Sequence, residues 1–274
     1  MLSSKHSVFD YQPDRIYTFE EFEAVNDWLK THELVIDNVP ISHFELDSEG
    51  KLIPMPQTPI KKEAAVGEIV GQLRNWNINT RQNGGVTTSQ GGFNLSTTGG
   101  RTIRAPDVAF TPKQTYCNLT QQQLLTFRGQ PFSPIFAVEV EDLSVASKLS
   151  ELTRKFKDEY FPAGVELGWL IDPRGKDIYV FKKNRTGTVH RRHHGWNDVG
   201  GGGVLPGFVL KVWRIEEAIS QVCYIILLYY FHRVNSNYIL WTGCRNRRNP
   251  RLRTMAGVLA VLNAIKFSKK IMIF

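Results

Sequence analysis

The sequence predicts an α/β fold: a mixed central sheet flanked by helices, preceded by a hairpin and an N-terminal helix. Three observations carry this. The apolar positions switch period along the chain in the order helix, strands, helix, strands, helix, strands. PIFAVEVEDL places Ile135, Phe136, Ala137, Val138 and Val140 in an almost unbroken run, as a strand buried on both faces requires. The apolar and charged fractions, 42% and 22% of 274 residues, are those of an ordinary globular chain able to bury one sizeable core.

Each element has its own justification. In YTFEEFEAVNDWLK, Thr18 is placed to cap a helix with Glu21 three residues on, and Phe19, Phe22, Val25, Trp28 and Leu29 follow at helical spacing. HFELDSEGKLIPM reads as a hairpin turning at Ser48-Glu49-Gly50, which Pro54, Pro56 and Pro59 are expected to end. AAVGEIVGQLRNWNINT is a helix with Val66, Ile69, Val70, Leu73 and Trp76 on its apolar side. A Gly/Ser/Thr-rich stretch follows, carrying a short strand at Phe93 and Leu95, then RTIRAPDVAFTP and a looser polar segment of helical character, QTYCNLTQQQLLTF. After the PIFAVEVEDL strand, SKLSELTRKFKDEYFPAGVELG is a helix with Leu149, Leu152, Phe156 and Tyr160 on one side, closed by Pro162 and Gly164. GWLIDP and DIYVFKK are strands joined by a Pro173–Gly175 turn, and a glycine run leads into VLPGFVLKVWRI.

Charge and cysteine usage limit the function classes. The formal charge is +8, but residues 221–274 hold nine Lys or Arg and no acid. Residues 1–220 therefore keep 25 of the 34 basic and all 26 acidic residues, a net of −1, so global charge says nothing about a nucleic-acid partner for the body. Cys117, Cys223 and Cys244 have no metal-ligand spacing and no framework, which points to a reducing intracellular setting, cytoplasmic or nuclear. MLSSKHSVFDYQPDR lacks the apolar stretch of a secretory signal, and VCYIILLYYF is short of the about 20 residues of a membrane-spanning helix, so no transmembrane segment is predicted. The composition shift divides the chain into a domain over 1–220 and a basic, apolar tail over 221–274. The tail reads as a nucleic-acid arm, a membrane-surface segment, or sequence outside any folded unit; the abruptness of the shift favours the last.

Two carboxylates stand out. Glu139 sits within the apolar PIFAVEVEDL strand and Asp107 immediately before Val108, Ala109 and Phe110. A buried carboxylate needs a compensating partner. Two on neighbouring strands either share a hard divalent cation, for which oxygen-only ligation suits Mg²⁺, or are unrelated strand-end carboxylates each with its own salt bridge.

The ordered segments carry a resemblance. Pro106-Asp107, Val138 to Val140, Lys155 to Pro173, FELDSEGKLIPM and GEIVGQLRNWN, spread over roughly residues 40 to 215, resemble the Uma-type restriction endonuclease family of the PD-(D/E)XK nuclease superfamily. The resemblance implies a restriction-endonuclease-like sheet and a Mg²⁺-dependent endonuclease acting on nucleic acid, DNA before RNA, with Mn²⁺ as a substitute and a homodimer as an expectation. Asp107 and Glu139 would hold the metal by side chain and Val140 by its carbonyl. The lysine normally two residues after the strand glutamate is here Glu141. Lys155 on the following helix fits its role best, with Lys157 as rival because the helix is one residue longer than the family pattern. Glu68 matches the acidic residue that many superfamily members place on the first core helix, and reads equally as a solvated helix residue. The alternative is a catalytically inactive relative serving as a binding or interaction module.

The remaining candidates carry less. HRRHH (His190 to His194) mixes imidazole with positive charge and reads as an exposed loop or strand edge, ahead of a phosphate-contacting patch. No G-x-S-x-G elbow is present, Gly200 to Gly203 lacks the Lys-Ser/Thr of a phosphate loop, and Trp169 reads as core.

Overall fold

In the computed structural model, which describes residues 9–96 and 101–220, Thr18 caps helix α1 (Phe19–Leu29). Its hydroxyl accepts the Glu21 amide hydrogen, and the Glu21 carboxylate accepts that of Thr18, the reciprocal pair the spacing predicts. Phe19, Phe22 and Val25 form the buried stripe. The readings of the 221–274 tail lie outside the described residues.

A hairpin that apolar patterning did not bring out follows. β1 (Leu34–Ile36) pairs with β2 (Val39–Leu46) across Asp37 and Asn38, whose φ values are 50° and 63°. Two consecutive positive φ angles match the right-handed twist of the flanking strands, and Asx residues tolerate them. β2 also pairs with β3 (Leu52–Pro56) through the predicted turn, with Gly50 at φ 80°. Pro54 and Pro56 lie inside β3 rather than ending the hairpin. The reason is that β3 pairs with β2 alone, and an edge strand can spare the missing amide hydrogens. Helix α2 (Ile60–Asn79) begins a turn earlier than its apolar pattern, directly after Pro59, which makes Lys62 and Glu63 helical.

Short strands β4 (Gly85–Thr88), β5 (Phe93–Asn94), β6 (Ile103–Arg104) and β7 (Val108–Thr111) come next. The polar segment after them forms two single-turn helices, α3 (Lys113–Cys117) and α4 (Gln121–Leu125), broken at Asn118. β8 (Phe136–Val140) is buried at every position. Helix α5 (Ala146–Arg154) continues as a π-helical turn over Lys155–Tyr160 and ends as α6 (Phe161–Ala163), where Gly164 adopts φ 121°. β9 (Leu167–Asp172), β10 (Asp177–Lys183), β11 (Val189–His193), β12 (Val199–Gly200), β13 (Val209–Leu210) and α7 (Val212–Ile219) complete the described chain.

The central sheet runs β11-β10-β9-β8-β7-β4, antiparallel except between β8 and β9. That parallel pair needs a crossover, which α5, the π turn and α6 supply. A second sheet, β1-β2-β6-β5 with β3 on β2, lies beside it. The central sheet is covered on both faces. Ile69 and Leu73 of α2 pack on Val108, Val138, Val140 and Trp169. Phe156, Tyr160 and Phe161 pack on Ala109, Ala137, Leu170 and Phe181 from the other side. Even-numbered β8 residues therefore face α2 and odd-numbered ones face the π turn. Trp169 is core, edge-on to Phe136 at 4.8 Å between ring centroids. His190 to His193 of the HRRHH run lie exposed on outer strand β11, with half-buried His194 just beyond it, and no helix among the described residues is long and apolar enough to cross a membrane.

Candidate active site

Antiparallel pairing sets Val108 opposite Val138 and Ala109 opposite Ala137. One further step of that register sets Asp107 opposite Glu139, and directly opposed residues have Cβ atoms about 5 Å apart. Both side chains fall on the face covered by the π turn, and each residue is only 7% exposed. Asp107 Oδ2 accepts the Val140 amide hydrogen at 2.7 Å and lies 3.5 Å from Lys62 Nζ. Glu139 Oε1 accepts the Tyr160 hydroxyl at 2.5 Å and lies 3.0 Å from Lys155 Nζ. The other oxygens, Asp107 Oδ1 and Glu139 Oε2, accept no hydrogen bond from the described residues.

A second group of buried charges adjoins the pair. Lys155 Nζ donates to Glu45 Oε2 at 3.2 Å, and Arg104 Nη1 donates to the same oxygen at 2.9 Å. Glu45 Oε1 accepts the Ala105 amide hydrogen at 2.8 Å. Arg104 turns its other edge to Glu159, with Nε on Oε2 at 2.5 Å and Nη2 on Oε1 at 2.8 Å, a two-pronged pair. Lys62 also reaches Glu141 at 3.3 Å. Five carboxylates (Glu45, Asp107, Glu139, Glu141, Glu159) thus meet three cations (Lys62, Arg104, Lys155), two positive charges short of balance when all are ionised.

The titration of the groups reflects that shortfall. Burial first, and then the Glu139 charge, hold the Asp107 carboxyl well above the usual carboxylate range. Burial also works to raise Glu45, but Lys155, Arg104 and the Ala105 amide outweigh it and bring its pKa down to about 2. Burial disfavours the Lys62 and Lys155 ammonium ions, yet the surrounding carboxylates keep both charged beyond the ordinary lysine range.

These groups line a cleft of about 830 Å³ between β2–β3, α2 and α5, with Asp107, Glu139, Glu45, Lys62 and Lys155 in its wall. The structure brings Asp107, Glu139 and Lys155 together, and Val140 joins them through its amide. Lys157 lies away from this cleft, on the side of the helix toward Pro162, Val189 and Lys183. Glu68 also stands apart, accepting from Gln72 at 3.0 Å and lying 3.7 Å from Arg214, while Glu63 of the same helix lines the cleft. Sequence reasoning missed Glu45, Lys62, Arg104, Glu159 and Tyr160. Glu45 alternates with Phe44 and Leu46 as any solvent-facing strand residue does, and Lys62 precedes the apolar part of α2. Only the meeting of distant segments gives them partners.

The π turn explains how Lys155 reaches Glu139. In an α-helix residues five apart stand about 140° apart around the axis. The wider π turn brings Lys155 and Tyr160 onto one face, and both end on Glu139 Oε1.

The family described as "Uma2: Putative restriction endonuclease" matches residues 19–212. No curated protein matches the chain. Among solved structures, a "putative nuclease belonging to DUF820" from Anabaena variabilis is similar at 17% identity, over 65% of this chain and 92% of that one, with a TM-score of 0.45. The family match spans the central and second sheets and the whole buried charge cluster, and the chain belongs to the Uma2 family so described.

Proposed function

We propose that the chain is a Mg²⁺-dependent, endonuclease-like enzyme that hydrolyses phosphodiester bonds in nucleic acid, DNA first among them. The observation that carries this is the Asp107–Glu139 pair, one step beyond the paired β7–β8 register and together in the cleft wall, each with one oxygen that accepts no hydrogen bond from the described residues. The donor chemistry fits a hard cation. Mg²⁺ takes one or two carboxylates and keeps several waters, so it does not require the three-residue His, Cys, Asp or Glu cluster that is absent among the described residues. A divalent ion would also supply the two positive charges the cluster lacks. Asp107 and Glu139 would hold it by side chain, with Val140 contributing its carbonyl and Mn²⁺ able to substitute. When bound, the ion supplies Lewis acidity toward the phosphate and acidifies water.

The chain's own groups have separate tasks in this reading. The Val140 amide and the Tyr160 hydroxyl fix one oxygen of each carboxylate and leave the other turned free. Lys155 orients the attacking water and offsets charge developing on the phosphate. The second reading, a nucleic-acid-binding module without cleavage, draws on Lys62 and Lys155 already neutralising part of the acidic charge.

One experiment separates the two. The full chain should nick supercoiled plasmid DNA with Mg²⁺ or Mn²⁺ and not with EDTA, and Asp107→Asn or Glu139→Gln should bring cleavage to background. Undiminished cleavage in either variant overturns the metal mechanism. DNA binding with no cleavage under either metal favours the inactive module.

A further inference from the structure

Glu45 belongs to β2 of the second sheet, yet its carboxylate contacts Lys155, the lysine assigned above to the reaction. It is 2% exposed, with both oxygens engaged: Oε1 by the Ala105 amide, Oε2 by Arg104 and Lys155 together. Arg104 is independently anchored by its two bonds to Glu159 of the π turn. Lys155 therefore has two carboxylate neighbours, Glu139 at 3.0 Å and Glu45 at 3.2 Å, and its ammonium is held between them. A lysine is a flexible chain ending in a point charge, so one partner leaves it a range of positions, whereas two from different sheets fix it.

We propose that Glu45 is a positioning residue for the reaction: it sets where the Lys155 ammonium stands relative to Glu139, and the Arg104–Glu159 pair in turn fixes Glu45. This rests on the function proposed above. Glu45 does not act as a metal ligand in this arrangement, because its oxygens are taken by an amide and two cations. Displacing a catalytic group by about 1 Å can cost about 10²-fold in rate, which is the scale of loss expected when Glu45 no longer holds the lysine.

The test compares the full chain with its Glu45→Gln variant in three measurements: Mg²⁺ binding by calorimetry, steady-state cleavage of a short DNA duplex, and acylation of Lys155 by a water-soluble amine reagent, read by mass spectrometry against exposed Lys157. Glu45→Gln leaves Lys155 its pair with Glu139 and Arg104 its pair with Glu159. Should it unfold, Glu45→Asp, which draws the charge back by one methylene, replaces it in the same measurements. The expected result is a fall in kcat with KM and Mg²⁺ affinity unchanged, and faster acylation of Lys155. Unchanged kcat with unchanged acylation overturns the proposal, and so does a loss of Mg²⁺ affinity matching that of Asp107→Asn, which would make Glu45 a ligand. If the wild-type chain cleaves nothing, the hydrolase reading fails, and the acylation rates still decide whether Glu45 holds Lys155.

Discussion

Lys155 and Lys157 are two residues apart on one helix and chemically identical, yet they meet different surroundings. Lys155 is 11% exposed at its side chain and lies between two carboxylates, whereas Lys157 is exposed on the far side. A buried ammonium persists only where carboxylates compensate its desolvation, so its position is tied to theirs. Lys155→Ala should therefore abolish most nuclease activity while Lys157→Ala leaves it near wild type, measured as plasmid nicking rates. The reverse ranking would give the proposed role to Lys157. The same contrast applies to acids. Asp107 and Glu139 line one cleft, whereas Glu68 is engaged with Gln72 and Arg214 away from it.

At the level of elements, the site depends on one strand pair and one widened helical turn. The residue immediately before β7 and the fourth residue of β8 supply the carboxylates, and the π turn delivers Lys155 and Tyr160 to them. The turn sits close to β9 because Gly168 has no side chain: a Cβ there would come within 2.4 Å of Phe156 Cε1, a ring atom next in sequence to Lys155. Phe156 is fully buried and stacked on Phe181 at 4.3 Å, so it cannot yield easily. Gly168→Ala should cost about 1–3 kcal/mol of stability by overpacking. By moving the π turn it should also reduce cleavage, with both effects read by chemical denaturation and kinetics of the same preparation. An unchanged denaturation midpoint would mean that the turn has room to shift.

For the whole molecule, the Glu45–Arg104–Glu159 cluster ties β2 and β6 of the second sheet to the π turn over the central one. Its acid sensitivity follows from Glu45. With the folded-state pKa lowered from 4.5 to about 2, ionised Glu45 contributes stability that is full above pH 4.5 and is lost as pH falls toward about 2. Unfolding free energy should decline across that window, and Glu45→Gln should flatten the decline, measured by urea denaturation at a series of pH values. Equal slopes in the two proteins would show that the cluster does not link the sheets energetically.

Local pattern was enough to set the fold class, the capped first helix, the buried β8 strand and the anomaly of Asp107 and Glu139, because these depend on period, capping chemistry and the cost of burying charge. It was not enough where the determining interaction lies between distant segments. Pro54 is tolerated because β3 is an edge strand, a fact of sheet order rather than of sequence. Glu45, Arg104 and Glu159 lie 114 positions apart from first to last, each unremarkable among its neighbours, and become one buried network only when two sheets and a helix converge. Residue type and spacing determined which charges the chain carries near its apolar strands; the tertiary structure alone decided which opposite charges meet them, since electrostatic compensation in a low-dielectric interior acts through space over a few ångströms and not along the chain.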